Sequence, residues 1–208
     1  MKWEDFVDLT AHLPAIETEL LLAGKPQGSA LKVQVSRWVK AGRLIQLKRG
    51  IYVLAQRYRK TGIYEPYIAS LLIRPSYISL EKALEFHGLI PEAVPVYTSV
   101  TTKRQGKFRN KLGVFVYRHV KRSLFWGYES VTVNNQVAFI ASAEKALLDL
   151  FYLNGLKIPD GYIEELRLMN TEKIDLARLK EYAKRFGKPG MLVVAAALEG
   201  HIKSSGRG

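Results

Sequence analysis

Residues 29–54 read SALKVQVSRWVKAGRLIQLKRGIYVL, and the way this stretch folds decides the architecture around it. At 100° per residue, Leu31, Val35, Trp38 and Val39 fall on one side of a helix. Ser29, Lys32, Ser36, Arg37 and Lys40 fall on the other side, with Val33 among them. Ser29 suits an N-cap after the turn at Gln27-Gly28, and Gly42 suits a stop, so a helix is predicted to Ala41. Arg43 to Leu54 then reads as two short strands around the basic turn Lys48-Arg49-Gly50, a β-hairpin.

Upstream, Trp3, Phe6, Val7 and Leu9 keep a helical spacing that His12-Leu13-Pro14 interrupts. Ile16, Leu20 and Leu21 resume it and Gly24 ends it, giving a second helix. Three short helices and a two-stranded hairpin make a winged helix-turn-helix over residues 1–57, whose third helix enters the major groove of DNA. Lys32, Lys40 and the tip residues Lys48 and Arg49 are the expected phosphate contacts. Arg37 has the fork to read guanine, and Ser29 and Ser36 can bond base edges or phosphates. Against this stands a structural module that meets another protein rather than DNA. Trp38, on the apolar side, is expected in the core.

A basic linker, Gln56 to Thr61, leads to residues 62–208, which read as an α+β domain with a helical end. A helix is predicted over Ile63–Ile73, a strand at Tyr77-Ile78, and a helix from Leu80 that is capped by Ser79 and closed by Gly88. Val96–Thr101 and Val114–His119 read as strands, and Val131-Thr132-Val133, Asn134-Asn135 and Val137–Ile140 as a hairpin. Ser142 caps a further helix. Three more are predicted over Gly161–Met169, Asp175–Phe186 and Pro189–Ile202.

Charge supports a polyanion partner. The chain has 208 residues and a net charge of +13, unevenly spread. Residues 25–60 hold ten basic and no acidic side chains, and Ala93–Tyr128 is a second acid-free window with eight basic residues, Lys103 to Arg122. Within it, Lys103, Arg104, Lys107 and Arg109 sit in a loop-like run. They either extend a DNA footprint, bind RNA, or form a solvated loop. No cysteine is present, which excludes disulfides, thiolate metal sites and a cysteine nucleophile. No leader-like start and no apolar run of ~18 residues is seen, so a cytoplasmic protein without membrane partners is expected.

Five motifs in order, PSYISLEKALEFHGLIPE (Pro75–Glu92), VTTKR (Val100–Arg104), VFVYRHV (Val114–Val120), LFWGYE (Leu124–Glu129) and ASAEKALLDLFYL (Ala141–Leu153), resemble the AbiEi family of type IV toxin–antitoxin antitoxins. RGIYV (Arg49–Val53) resembles the close of that family's wing. The resemblance implies a transcriptional autorepressor that binds inverted-repeat operator DNA through its winged helix. It also implies a nucleotidyltransferase-like toxin as functional partner, neutralised through the carboxy-terminal domain with or without direct contact.

No catalytic, cofactor or metal site is expected. His12, His87, His119 and His201 show no metal-ligand spacing. Glu81-Lys82, Glu144-Lys145 and Asp149 have the residue types of a metal nuclease. However, Glu144 and Lys145 fit the first turns of a helix, where an acid suits the dipole, and Asp149 completes an i, i+4 pair with Lys145.

Overall fold

The apolar spacing at the start of the chain winds α1 (Trp3–Thr10), which buries Phe6 and turns Glu4, Asp5 and Asp8 to solvent. A computed structural model describes residues 1–22, 28–156 and 161–205, together with side-chain surroundings outside 21–30 and Ser205. Gly24 and Gln27 lie outside the described residues. The second helix starts later than its spacing predicts. Ile16-Glu17 forms a strand, β1, and Thr18–Leu22 is helical, as α2. The cause is tertiary: β1 pairs with β3 (Ile51–Leu54), Ile16 opposite Tyr52 and Glu17 opposite Ile51, and so satisfies an edge that helical periodicity cannot reveal. Helix α3 spans Gly28–Lys40, so Ser29 lies inside its first turn rather than at the cap. Gly42 follows with φ +67°, a left-handed stop.

Strand β2 (Leu44–Lys48) pairs antiparallel with β3, giving a three-stranded sheet in the order β1-β3-β2. Both faces of this hairpin are apolar because both are covered. Leu44 and Leu54 pack with Phe6, Ala11, Ile16, Leu31, Val35 and Trp38. Leu47, Ile51 and Val53 join the large core of the remaining chain. The linker is docked as well: Gln56–Tyr58 is a 3₁₀ turn, Tyr58 stacks edge-on to Trp3 at 5.0 Å, and Lys60 N–H donates to the Ala11 carbonyl.

The rest of the chain is mixed α+β, built on α4 (Glu65–Leu72), β4 (Ser76–Ile78), α5 (Leu80–Phe86), β5 (Val96–Thr101), β6 (Gly106–Asn110), β7 (Gly113–His119), β8 (Tyr128–Val133), β9 (Gln136–Ala141) and α6 (Ala143–Leu153). After these come α7 (Tyr162–Glu165), α8 (Leu176–Arg185) and α9 (Pro189–Ser205). The six strands form one sheet, β6-β7-β5-β4-β9-β8, parallel at β5/β7 and β4/β9 and antiparallel elsewhere. Successive residues point to opposite faces. Tyr117 donates its hydroxyl to the Ala69 carbonyl of α4 on one face, and Tyr77 donates to Asp149 of α6 on the other. Covered on both sides, central β5 buries Thr98, Ser99, Val100 and Thr101.

Two sequence expectations are corrected here. The run around Lys103–Lys111 is not a loop: Gly106–Asn110 is edge strand β6, in register with β7 from Gly106 opposite Tyr117 to Asn110 opposite Gly113. The helix expected over Gly161–Met169 ends at Glu165. Among the described residues no helix is long and apolar enough to cross a membrane.

Candidate nucleic-acid interface

Helix α3 divides along its length as its sequence does. Leu31, Val35 and Trp38 are buried, with Trp38 4.6 Å from the Phe6 ring and 5.1 Å from Trp3. Lys32, Ser36, Arg37 and Lys40 are exposed on the opposite side, and Val33 stands among them at 52% exposure. The Ser29 side chain lies outside the described residues. Arg37 and Lys40 occupy the last turn, where the helix dipole favours a cation. None of Lys32, Arg37, Lys40 or Arg49 has a carboxylate within salt-bridge distance among the described residues.

The hairpin tip separates its two cations. A bulge between Gln46 and Lys48 puts Lys48 opposite Ile51, on the face that meets the carboxy-terminal body. Its Nζ donates to the Leu72 carbonyl at 2.9 Å and lies 5.9 Å from the Phe108 ring. Lys48 is exposed, but its ammonium is turned to the Leu72 carbonyl. Arg49 is exposed, and next to it Gly50 turns with φ +86°. A cleft of about 440 Å³ runs between Arg49 and Lys32 over a floor of Leu31, Val35 and Tyr52, with Thr18 and Glu19 along its margin. The structure thus brings Lys32, Ser36, Arg37, Lys40, Lys48 and Arg49 onto exposed surface, with the Lys48 ammonium hydrogen-bonded to the Leu72 carbonyl.

The second basic segment borders the hairpin from its other side, because β6 lies against β2. Along β6, Lys107 and Arg109 are exposed and alternate with half-buried Phe108, and Lys103 and Arg104 precede them, also exposed. His119 shares a 2.9 Å hydrogen bond with the Lys103 carbonyl.

The polar group whose depth the sequence reading missed is in α6. Lys145 and Asp149 do pair at i, i+4, but both side chains are fully buried. Lys145 Nζ also donates to Tyr77 Oη at 2.9 Å, and Asp149 Oδ2 accepts from Tyr77 Oη and Ser79 Oγ, each at 2.9 Å. Ser79 therefore bonds Asp149 instead of capping α5. The Lys145 ammonium lies 4.8 Å from the rings of Trp126 and Phe186, and its stem passes Gly127, where a Cβ would come within 3.1 Å of it. Burial pushes the Asp149 carboxyl up and the Lys145 ammonium down, and the opposite charge of each partner offsets part of the shift. Glu144 is spoken for too: it accepts from the Asp175 N–H at 2.9 Å and the Ser142 hydroxyl at 2.8 Å. No local signal marks this depth: Glu144, Lys145 and Asp149 read as the polar residues of an ordinary helix within Ala141–Leu153.

Among family models and curated proteins, none matches this chain.

Proposed function

We propose that the protein is a DNA-binding repressor of antitoxin type whose residues 1–57 act as a winged helix-turn-helix. In this reading α3 lies in the major groove and β2–β3 is the wing. The observation that carries it is the exposed face of α3, where Lys32, Ser36, Arg37 and Lys40 stand, none of the three cations paired with a carboxylate among the described residues, beside Arg49. Lys32, Lys40 and Arg49 neutralise phosphates, and Arg37 supplies a bidentate donor for guanine. The remaining terms of the reading rest on the sequence resemblance to AbiEi antitoxins: inverted-repeat operator DNA at the chain's own promoter, neutralisation of a nucleotidyltransferase-like toxin through residues 62–208, and a cytoplasmic location. Lys103, Arg104, Lys107 and Arg109, bordering the wing, lengthen the nucleic-acid track.

The test is fluorescence anisotropy with duplexes covering the region upstream of the chain's own gene, against scrambled duplexes. The intact chain binds one native duplex in preference, and Lys32→Ala/Arg37→Ala/Lys40→Ala abolishes the preference. Equal binding by that triple variant refutes the reading. Reversing Lys103, Arg104, Lys107 and Arg109 to Glu weakens binding if the second segment takes part, and leaves it unchanged if that segment is a solvated strand.

A further inference from the structure

The two edges of the six-stranded sheet are built differently. An edge strand presents unpaired backbone N–H and C=O groups, and cationic side chains on it block pairing with another chain. Edge β6 carries exposed Lys107 and Arg109. Edge β8 reads Tyr-Glu-Ser-Val-Thr-Val, with no lysine, arginine or proline. Ser130, Thr132 and Val133 are exposed along it. From Ser123 through Glu144 the chain has no lysine or arginine at all. Two copies of a chain with net charge +13 repel over most of their surfaces, and β8 itself adds no cation; of the cations that flank it, Arg74 is paired with Glu17 and Arg178 lies 3.9 Å from Glu144, with Lys173 beside them.

We propose that β8 is a self-association edge on which a second copy of this chain sets its own β8 antiparallel, joining two six-stranded sheets about a twofold axis. The hairpin fixes the register. Asn134 and Asn135 turn with φ of 49° and 62°, so Val133 and Gln136 flank a two-residue loop. Residues flanking such a loop exchange both backbone bonds, which directs the N–H and C=O groups of Val133, Val131 and Glu129 to β9 and those of Ser130 and Thr132 outward. Outward groups pair only with outward groups. Tyr128 directs its backbone groups outward likewise, and the register that pairs all three outward residues sets Tyr128 opposite Thr132 of the partner subunit and centres on Ser130. Glu129 then faces an uncharged valine, and no like charges oppose one another. Val137 and Phe139, 42% and 39% exposed, share the face of Ser130 and Thr132, so the apolar surface continues across the joint.

The experiment uses the full chain, which contains no cysteine. Ser130→Cys places one thiol at the twofold axis, at a hydrogen-bonded pair whose Cα atoms are ~5.5 Å apart, within disulfide reach. On mild oxidation it yields a covalent species of twice the 23.6 kDa chain mass. In sedimentation velocity the unmodified chain populates that mass reversibly. Thr132→Pro, which removes one outward N–H and leaves the β8–β9 ladder intact, loses it, as does Thr132→Lys, which gives β8 the protection β6 has. A chain that stays monomeric at its solubility limit overturns the proposal, and so does a dimer that survives both Thr132 substitutions while Ser130→Cys fails to cross-link.

Discussion

Neighbouring lysines and arginines on this chain are not interchangeable, and the salt dependence of the proposed DNA binding separates them. Each phosphate neutralised on duplex DNA contributes about −0.9 to the slope of log affinity against log salt. Lys32, Arg37 and Lys40 are exposed, and among the described residues no carboxylate lies within salt-bridge distance of them. Replacing all three with alanine removes the two phosphate contacts of Lys32 and Lys40 and is expected to make the slope shallower by about 1.8; between 0.05 and 0.2 M salt the intact chain then loses about twelvefold more affinity than the variant. Lys48 is the internal control. Its ammonium is already committed to the Leu72 carbonyl, so Lys48→Ala leaves the slope unchanged. That substitution costs about 1 kcal/mol of stability instead, by stripping a partly buried carbonyl of its donor. The assay is anisotropy with one fluorescent duplex over a salt series, with urea denaturation alongside. A slope unaltered in the triple variant, or reduced as much by Lys48→Ala as by losing an α3 cation, refutes the assignment of α3 and Arg49 as the contact surface.

Three further outcomes follow from the packing. Asp149→Ala leaves the Lys145 ammonium buried without its counter-ion and is expected to cost about 3–5 kcal/mol, whereas Lys145→Met combined with Asp149→Leu recovers most of that loss; urea midpoints measure both. Ile51→Ala, in the hairpin face that joins the carboxy-terminal core, is expected to lower stability by about 2–5 kcal/mol while unfolding stays a single transition by fluorescence and circular dichroism. Separate transitions there show that the hairpin does not couple the two parts. Glu199 accepts from Lys180 at 3.0 Å and Lys203 at 2.6 Å, and these hydrogen bonds hold its carboxyl below its ordinary range. A depressed folded value stabilises above the unfolded one and is lost as pH falls through the folded one. The acid limb of a melting-temperature profile therefore flattens in Glu199→Gln, and an unaltered limb shows the contact to be energetically idle.

The secondary structure of residues 29–54 was legible because one physical requirement governs it: apolar side chains recur at the period of the element that buries them. That spacing placed Leu31, Val35 and Trp38 inside and Lys32, Arg37 and Lys40 outside, and Asn134-Asn135 announced its hairpin by tolerance of positive φ. What the linear pattern does not carry is the identity of the covering surface. Leu44 and Leu54 face the amino-terminal helices, and Leu47, Ile51 and Val53 face the carboxy-terminal body, yet all five are equally apolar in the sequence. The bulge that sets Lys48 opposite Ile51, within reach of the Leu72 carbonyl, is a matter of strand register. The conversion of Ile16-Glu17 into a strand depends on a partner edge 35 residues away. Most tellingly, Ser79 reads as a helix cap and Lys145–Asp149 as an ordinary helical pair, because local spacing is all the sequence displays. Only folding brings Tyr77 and Ser79 against α6 and closes water out, and burial then makes hydrogen-bonding partners obligatory for Lys145 and Asp149.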